Sequence, residues 1–347
     1  MQLMDYTIEE LSGLMAEWGE PSYRAKQIFQ WASRGVRPAE MQNLPLPLRR
    51  RLEELPYGGV TVYQKRISAL DGTAKYLFAL EDENLIEGVL MRYHYGNTAC
   101  ISTQVGCRMG CRFCASTLEG RVRDLTAGEM LSELSAIELD EPPKDEMPRT
   151  VTNVVLMGSG EPMDNYDNVV RFLKLVIHPD GMGISPRNIS VSTCGLVPMI
   201  YRFMREAPHV TLSISLHAHN DETRSRIMPV NKIYPIAEVV TAARIYAEET
   251  GRRVVFEYAL IAGVNDADED TVRLARLLRG INCHVNLIPL NSVPERKLTG
   301  SGRKRAQEFC EQLVNQHISA TIRREMGADI EGACGQLRRR VKDELRS

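Results

Sequence analysis

From Thr98 onward, short apolar runs suited to strands alternate six times with segments of helical spacing, and nothing else in the chain restricts its fold as tightly. ACISTQV precedes a helix from Thr126, TNVVLMG precedes NVVRFLKLV, and NISVSTC precedes VPMIYRFMRE. VTLSISLH, VVFEYALIA and HVNLIPL are followed in turn by IAEVVTAARIYAEE, DTVRLARLLRG and RKRAQEFCEQLVNQ. Strand and helix in regular succession imply an α/β fold with a parallel sheet, and the even beat favours an open or partial barrel. Ligands of such a barrel bind at the carboxyl ends of its strands.

The flanks read differently. Residues 1–57 carry apolar positions at helical spacing in YTIEELSGLMAEWG and YRAKQIFQWASRG, and form a helical accessory domain. Residues 58–96 switch to short alternating segments with DG and GN turns, an antiparallel β extension. The barrel spans 97–325, with LDEPPKDEMPR as a surface loop, and 326–347 form a C-terminal segment. No uncharged apolar run reaches the length of a membrane span, and MQLMDYTIEELS lacks a basic region followed by an apolar one. A cytoplasmic monomer with no membrane partner is expected. Eight cysteines in a reducing compartment read as metal ligands or catalysts rather than disulfides. A net charge of −2 hides basic clusters at Arg49–Arg51, Lys65 with Arg66, Arg121 with Arg123, Arg303–Arg305, Arg323 with Arg324, and the tail LRRRVKDELRS. These permit a nucleic-acid partner, and equally describe solvated faces.

Cys107, Cys111 and Cys114 stand as C-x3-C-x2-C in GCRMGCRFCAS. Three thiolates can hold three irons of a [4Fe–4S] cube and leave the fourth iron open. Zinc would want four ligands, and no second cysteine or histidine pair lies nearby. Interleaved Gly106, Arg108, Gly110 and Arg112 argue against an apolar core run. The other strand ends are polar or glycine-rich: Gly158–Pro162, Ser192–Cys194, Ser215–His217, and Asn286 to Asn291. Together they outline a pocket.

CRMGCRFCA matches the cluster signature of radical S-adenosylmethionine (SAM) enzymes, whose catalytic domain is a partial (β/α)6 TIM-like barrel. Over nearly its whole length the chain further resembles the RlmN-type family of dual-specificity RNA adenine-C2 methyltransferases, in CISTQVGCRMGCRFCASTLEG, NVVLMGSGEPMDN, SLHAHNDETRSRIMPVN, CHVNLIPLN and GADIEGACGQLR. That resemblance implies a [4Fe–4S] cluster on Cys107, Cys111 and Cys114, SAM as cofactor, 23S ribosomal RNA and transfer RNA as partners, and an electron donor. It aligns Gly160, Glu161, Ser192, Ser215, Leu216, His217 and Asn291 with the family's SAM contacts. Cys334 matches the methyl-carrying cysteine, Cys100 the resolving cysteine that forms a transient disulfide with it, and Glu87 the proton acceptor. Read without the family, Cys334 is a packing residue, Cys100 a buried strand thiol and Glu87 an ordinary strand carboxylate.

C2 of adenine lies between two ring nitrogens and is electron-poor, so displacement on SAM is closed to it and radical chemistry is required. Methylation of C8 of the same ribosomal adenine shares both catalytic cysteines; Pro162 in GSGEP and the wording of the motifs favour C2. A radical SAM enzyme acting on a protein or small molecule would not need Cys334, and a non-enzymatic cluster protein would not cleave SAM. Two positions depart from the family pattern: Ser159 often stands as Met, and Cys194 as Ser. Cys194, Cys283 and Cys310 read as structural.

Overall fold

The computed structural model describes residues 1–143, 148–290 and 296–330. Three helices come first, α1 (Ile8–Trp18), α2 (Tyr23–Ala32) and α3 (Leu46–Glu53). Thr7 begins α1 because its side chain accepts the Glu10 N–H while Glu10 returns to the Thr7 N–H; Gly19, at φ 71°, ends it in the left-handed region. Strands β1 (Thr61–Ile67), β2 (Ala74–Ala79) and β3 (Leu85–Tyr93) then pair antiparallel, and β3 pairs antiparallel with β4 (Gly96–Cys100).

After β4 the chain leaves the sheet. β5 (Gln104–Gly106) and β6 (Arg121–Asp124) make a separate two-stranded ribbon around the cysteine loop. The run ACISTQV, expected as one strand, is therefore broken at Ile101: the Ile101 carbonyl accepts the Gly158 N–H, and the Thr103 N–H turns to the Ser159 carbonyl. The chain continues through α4 (Ala127–Asp140), β7 (Asn153–Leu156), α5 (Tyr166–Ile177), β8 (Ile189–Thr193), α6 (Val197–Glu206) and β9 (Thr211–Ser215). Next come α7 (Asp221–Ile227), α8 (Ile236–Thr250), β10 (Val254–Leu260), α9 (Asp268–Leu278), β11 (Cys283–Pro289), α10 (Gly302–Asn315) and β12 (Ala320–Ile322).

Strands β4, β7, β8, β9, β10, β11 and β12 are parallel neighbours in that order, and the antiparallel β3, β2 and β1 extend the same sheet beyond β4. The extension and the barrel are thus one continuous sheet with β1 and β12 as its outermost strands among the described residues. A seventh parallel strand, β12, adds to the six expected; three residues are too few to carry a period.

Because side chains alternate along a strand, each strand serves two environments. Val154, Val191, Leu212, Ile214, Phe256, Tyr258 and Leu287 point to the helices and join one hydrophobic core with α4, α5, α6, α8, α9 and α10. The inner face is polar. Ser215, Glu257, Asn286 and Thr321 stand opposite one another in register across β9, β10, β11 and β12, and Ser190 Oγ lies 2.9 Å from Ser213 Oγ. The N-terminal helices pack into the same core through Leu3, Met4, Leu11, Met15, Ile28 and Phe29, with Arg171 paired to Glu10 at 2.7 Å and the Gly128 N–H bonded to Asp5 at 2.7 Å.

One side chain ties the strand ends together. Arg224 of α7 has 0% of its surface exposed. Its guanidinium donates to the carbonyls of Leu216 (3.1 Å), Cys194 (2.6 Å), Ser215 (3.1 Å) and Tyr234 (3.3 Å), and to Asn231 Oδ1 (2.9 Å). Arg224→Leu strips donors from several buried acceptors at once, each costing on the order of 1–3 kcal/mol. A loss of about 3 kcal/mol or more is expected, read as a lower urea midpoint.

Candidate active site

The carboxyl ends of the strands enclose a cavity of about 320 Å³. The cysteine loop forms one wall. Gly106 (φ 78°) has no room for a side chain, since a Cβ there would sit 2.0 Å from the Gly120 carbonyl oxygen. The loop is pinned by Cys107 N–H to Gly120 O (3.0 Å) and Arg112 N–H to Ile227 O (2.9 Å), and Thr117 Oγ1 donates to the carbonyls of Cys111 and Cys114, each at 3.0 Å. Cys107, Cys111 and Cys114 all line the cavity.

Burial pushes the Cys107 thiol up to about 12. Burial, and then its neighbours Cys114 and Cys107, raise the Cys111 thiol well above its usual range. Such thiols keep their protons unless a positive centre is seated among them, since metal binding releases ligand protons. Among the described residues no group of three or more His, Cys, Asp or Glu side chains is arranged to hold a single metal ion. A cubane asks for something else, each sulfur on a different iron, and three thiols on one cavity wall suit it.

Opposite the loop, β7 runs into a turn that only glycine can make. A Cβ on Gly158 would lie 2.5 Å from Ile101 O, and one on Gly160 (φ 115°) would lie 2.8 Å from the Gln104 backbone nitrogen. Glu161 follows with its N–H on Gln104 Oε1 (2.9 Å); its own oxygens accept the N–H groups of Met163 (3.1 Å) and Cys194 (2.8 Å). Burial raises this carboxyl above its usual range despite those bonds. Gly160, Glu161, Ser192, Ser215 and His217 line the cavity. His217 sits at φ 56°, its Nδ1 accepts the Ala259 N–H at 2.9 Å, and its ring meets the edge of Phe113 at 4.8 Å. Burial first, and then the Arg224 guanidinium, pull it down to about 3, so the ring is neutral with its proton on Nε2.

Cys100 of β4 is buried on the far wall with Val89, Met91, Val155, Met157 and Met326, and it also lines the cavity. Glu87 lies on the same face of β3 as Val89 and Met91, two residues beyond the lining. Leu216 belongs to the hydrophobic core, and both its N–H and its carbonyl are bonded within the protein, to Glu257 O and Arg224. Asn291 and Cys334 lie outside the described residues.

Sequence reasoning missed several lining residues. Cys194, taken as structural, lines the cavity beside Cys111 and Glu161. Arg323 and Arg324, read as a basic cluster suited to a nucleic-acid partner or to a solvated face, line it too. So does Glu257, whose Oε1 has no hydrogen-bond partner among the described residues; a lone acid in the apolar run VVFEYALIA was its signal. Other cations offered for phosphate are already neutralised: Lys65 pairs with Asp140 (2.5 Å) and Glu141 (2.8 Å), Arg123 with Glu129 (2.8 Å) and Asp82 (2.5 Å), and Arg121 with Asp124 (3.1 Å) and Asp164 (3.4 Å).

Residues 101–275 match the model of the radical SAM superfamily, and residues 1–57 match that of the ribosomal RNA large subunit methyltransferase N-terminal domain. The chain is 48% identical, over 99% of its own length and 99% of theirs, to a probable dual-specificity RNA methyltransferase RlmN of Thermoanaerobacter sp. (strain X514), and 49% identical over 98% of each chain to that of Alkaliphilus oremlandii. A crystal structure of a radical SAM methyltransferase from Sphaerobacter thermophilus superposes with a TM-score of 0.92 at 46% identity, covering 97% of this chain and 98% of that one.

The segment after β12 crosses the cavity as Arg323 to Met326 and is then clasped to the β1–β2 turn. The Gly327 N–H donates to Asp71 Oδ2 (2.9 Å), and Asp329 accepts Ser68 Oγ (2.6 Å) and the Ala69 N–H (2.9 Å). Partial burial raises Asp71, but bonds from Gly327, Thr73 and Ser68 outweigh it and hold the carboxyl at about 2. With its folded value depressed, the clasp is intact above the ordinary carboxylate range and weakens as pH falls toward 2. Asp71→Ala should speed amide exchange at Gly327 by roughly 10-fold, the loss of one charge-assisted bond of about 1.5 kcal/mol, measured by hydrogen–deuterium exchange at neutral pH.

Proposed function

This chain belongs to the RlmN family of radical SAM RNA methyltransferases, and we propose that it methylates C2 of an adenine in 23S ribosomal RNA and in transfer RNA. The observation that carries this reading is that the three-thiol loop, the Gly160–Glu161 turn and Cys100 border one cavity, beneath the segment that leads toward Cys334. The dual-specificity RNA methyltransferase names of relatives at 48–49% identity support RNA as substrate.

Cys107, Cys111 and Cys114 would hold a [4Fe–4S] cluster, and Gly160, Glu161, Ser192, Ser215 and His217 would border SAM beside it. Burial of Glu161 and His217 in the cavity wall strengthens each polar contact made there. When bound, the cluster and SAM would supply a hydrogen-abstracting carbon radical, the cluster serving as the one-electron donor and acceptor.

The chain's own residues do the rest. The Cys334 thiolate would attack the methyl carbon of a first SAM, breaking its methyl–sulfonium bond and releasing S-adenosylhomocysteine, and would present the methyl group as a thioether. Once a hydrogen has been removed from that methyl, its carbon bonds to C2 and joins RNA to protein. Glu87 takes the C2 proton as the C–H electron pair passes into the ring. The Cys100 thiolate then attacks the Cys334 sulfur; the S–C bond breaks, the exocyclic carbon takes up a proton to become the methyl group, and a Cys100–Cys334 disulfide awaits an external thiol reductant.

Reconstituted anaerobically with SAM, reductant and RNA lacking the modification, the protein is expected to yield 2-methyladenosine, identified by mass spectrometry of the digested RNA. Recovery of 8-methyladenosine instead would overturn the C2 reading. Cys100→Ala should accumulate a covalent RNA–protein adduct on a denaturing gel, and Cys334→Ala should form none while keeping its cluster absorbance.

A further inference from the structure

Lys75 of β2 is a lysine with 0% side-chain exposure, and its Nζ lies 3.2 Å from Oε2 of Glu87, itself 5% exposed. Both sit on the face of the sheet that borders the cavity. Lys75 stands opposite Val89, and Val89 opposite Cys100, so the three form one cross-strand row; Glu87 is one alternation from Val89 on the same face. The other face of these strands, with Tyr76, Phe78, Ile86 and Leu90, belongs to the hydrophobic core.

Packing does not call for this pair. Removing an ammonium and a carboxylate from water costs several kcal/mol per ion, and an apolar pair of similar volume fills such a space at least as well. A buried base does call for it. A carboxyl in a low-dielectric wall takes up a proton unless a cation holds it ionised, and a protonated acid cannot accept another.

We propose that Lys75 is the positioning residue for Glu87 in methyl transfer, its ammonium keeping the buried carboxylate ionised and aimed to receive the C2 proton of the adenine. The inference rests on Glu87 being the proton acceptor. In that step the C2–H bond breaks, the proton goes to a Glu87 oxygen, the electron pair enters the purine ring, and Lys75 keeps its charge throughout.

The surroundings agree. Facing the pair from adjacent strands are Arg66 of β1, in register with Lys75, and Cys100 of β4. Behind the sheet, Glu133 of α4 comes within 3.6 Å of the space a Cβ on Gly88 would fill, and complete burial raises its carboxyl well above the usual range. Ser102 fixes the backbone: its Oγ donates to the Glu87 carbonyl at 2.8 Å while its N–H donates to Glu133 Oε2 at 3.1 Å.

The test compares wild type, Glu87→Gln, Lys75→Met and Lys75→Arg as reconstituted full-length proteins, with SAM, reductant and unmodified RNA, reading both released methylated RNA and the covalent adduct. Lys75→Met is expected to slow release by roughly 100-fold, the scale of a lost general base, and to accumulate adduct as Glu87→Gln does, while Lys75→Arg stays within about tenfold of wild type. If Glu87→Gln accumulates adduct but Lys75→Met turns over normally, or loses turnover without adduct, the inference falls and the Glu87 reading stands. Normal turnover by Glu87→Gln overturns both. Should Lys75→Met not fold, the infrared difference between wild type and Glu87→Gln decides: an ionised carboxylate band supports the inference, and a protonated carboxyl band in its place overturns it.

Discussion

The site depends on one chain of hydrogen bonds that crosses from strand end to strand end. Glu161, after β7, accepts the N–H of Cys194, after β8; the Cys194 carbonyl accepts from Arg224, which also takes the carbonyls of Ser215 and Leu216 at the end of β9. His217, two residues on, accepts from Ala259 of β10 and supports Phe113 of the cysteine loop. These backbone groups lie where the sheet ladder stops, so without side-chain partners they would be buried and unsatisfied. One guanidinium joins the ends of β8 and β9, and Glu161 and His217 extend the chain of bonds to β7 and β10.

The alternation of strand and helix was legible because each long element carries its own period. Where elements shrink to a few residues the period vanishes, which is why β12 and α7 went unread, and why the break after Cys100, set by bonds to Gly158 and Ser159, could not be foreseen. The site was legible in parts. The three-cysteine spacing announces itself, and Gly160 and Glu161 stand at a strand end where a ligand belongs. Glu87, Cys100 and Cys334 came only through family resemblance, since a single acid or thiol in an apolar run looks like any other. Clustered charge misled: adjacency in sequence made Lys65, Arg121 and Arg123 look available, whereas adjacency in space had already matched each to an acid.

Acids along the inner wall share a common condition. Glu161 and Glu257 are both buried and both raised, by burial above all, and Arg323, which lines the same cavity, opposes that rise at Glu257. A cavity of this kind holds few waters to compete for the same donors, so a ligand bringing an ammonium, a hydroxyl or an amino group meets acceptors whose strength is not diluted. The polar ladder from Ser215 to Thr321 makes that side of the barrel interior a recognition surface, while Val89, Met91 and Val155 form an apolar wall around Cys100.

The helices that open the chain share their hydrophobic contacts with the barrel: Met4 and Phe29 are as much part of the interior as Phe172 or Val176. Two segments that match separate family models are thereby one cooperative unit. Cutting between them would not liberate a smaller catalyst; it would lay bare the outer side of α4 and α5 and leave the barrel without part of its insulation. Any rearrangement of such proteins during evolution must therefore have moved both segments together, or rebuilt the surface between them.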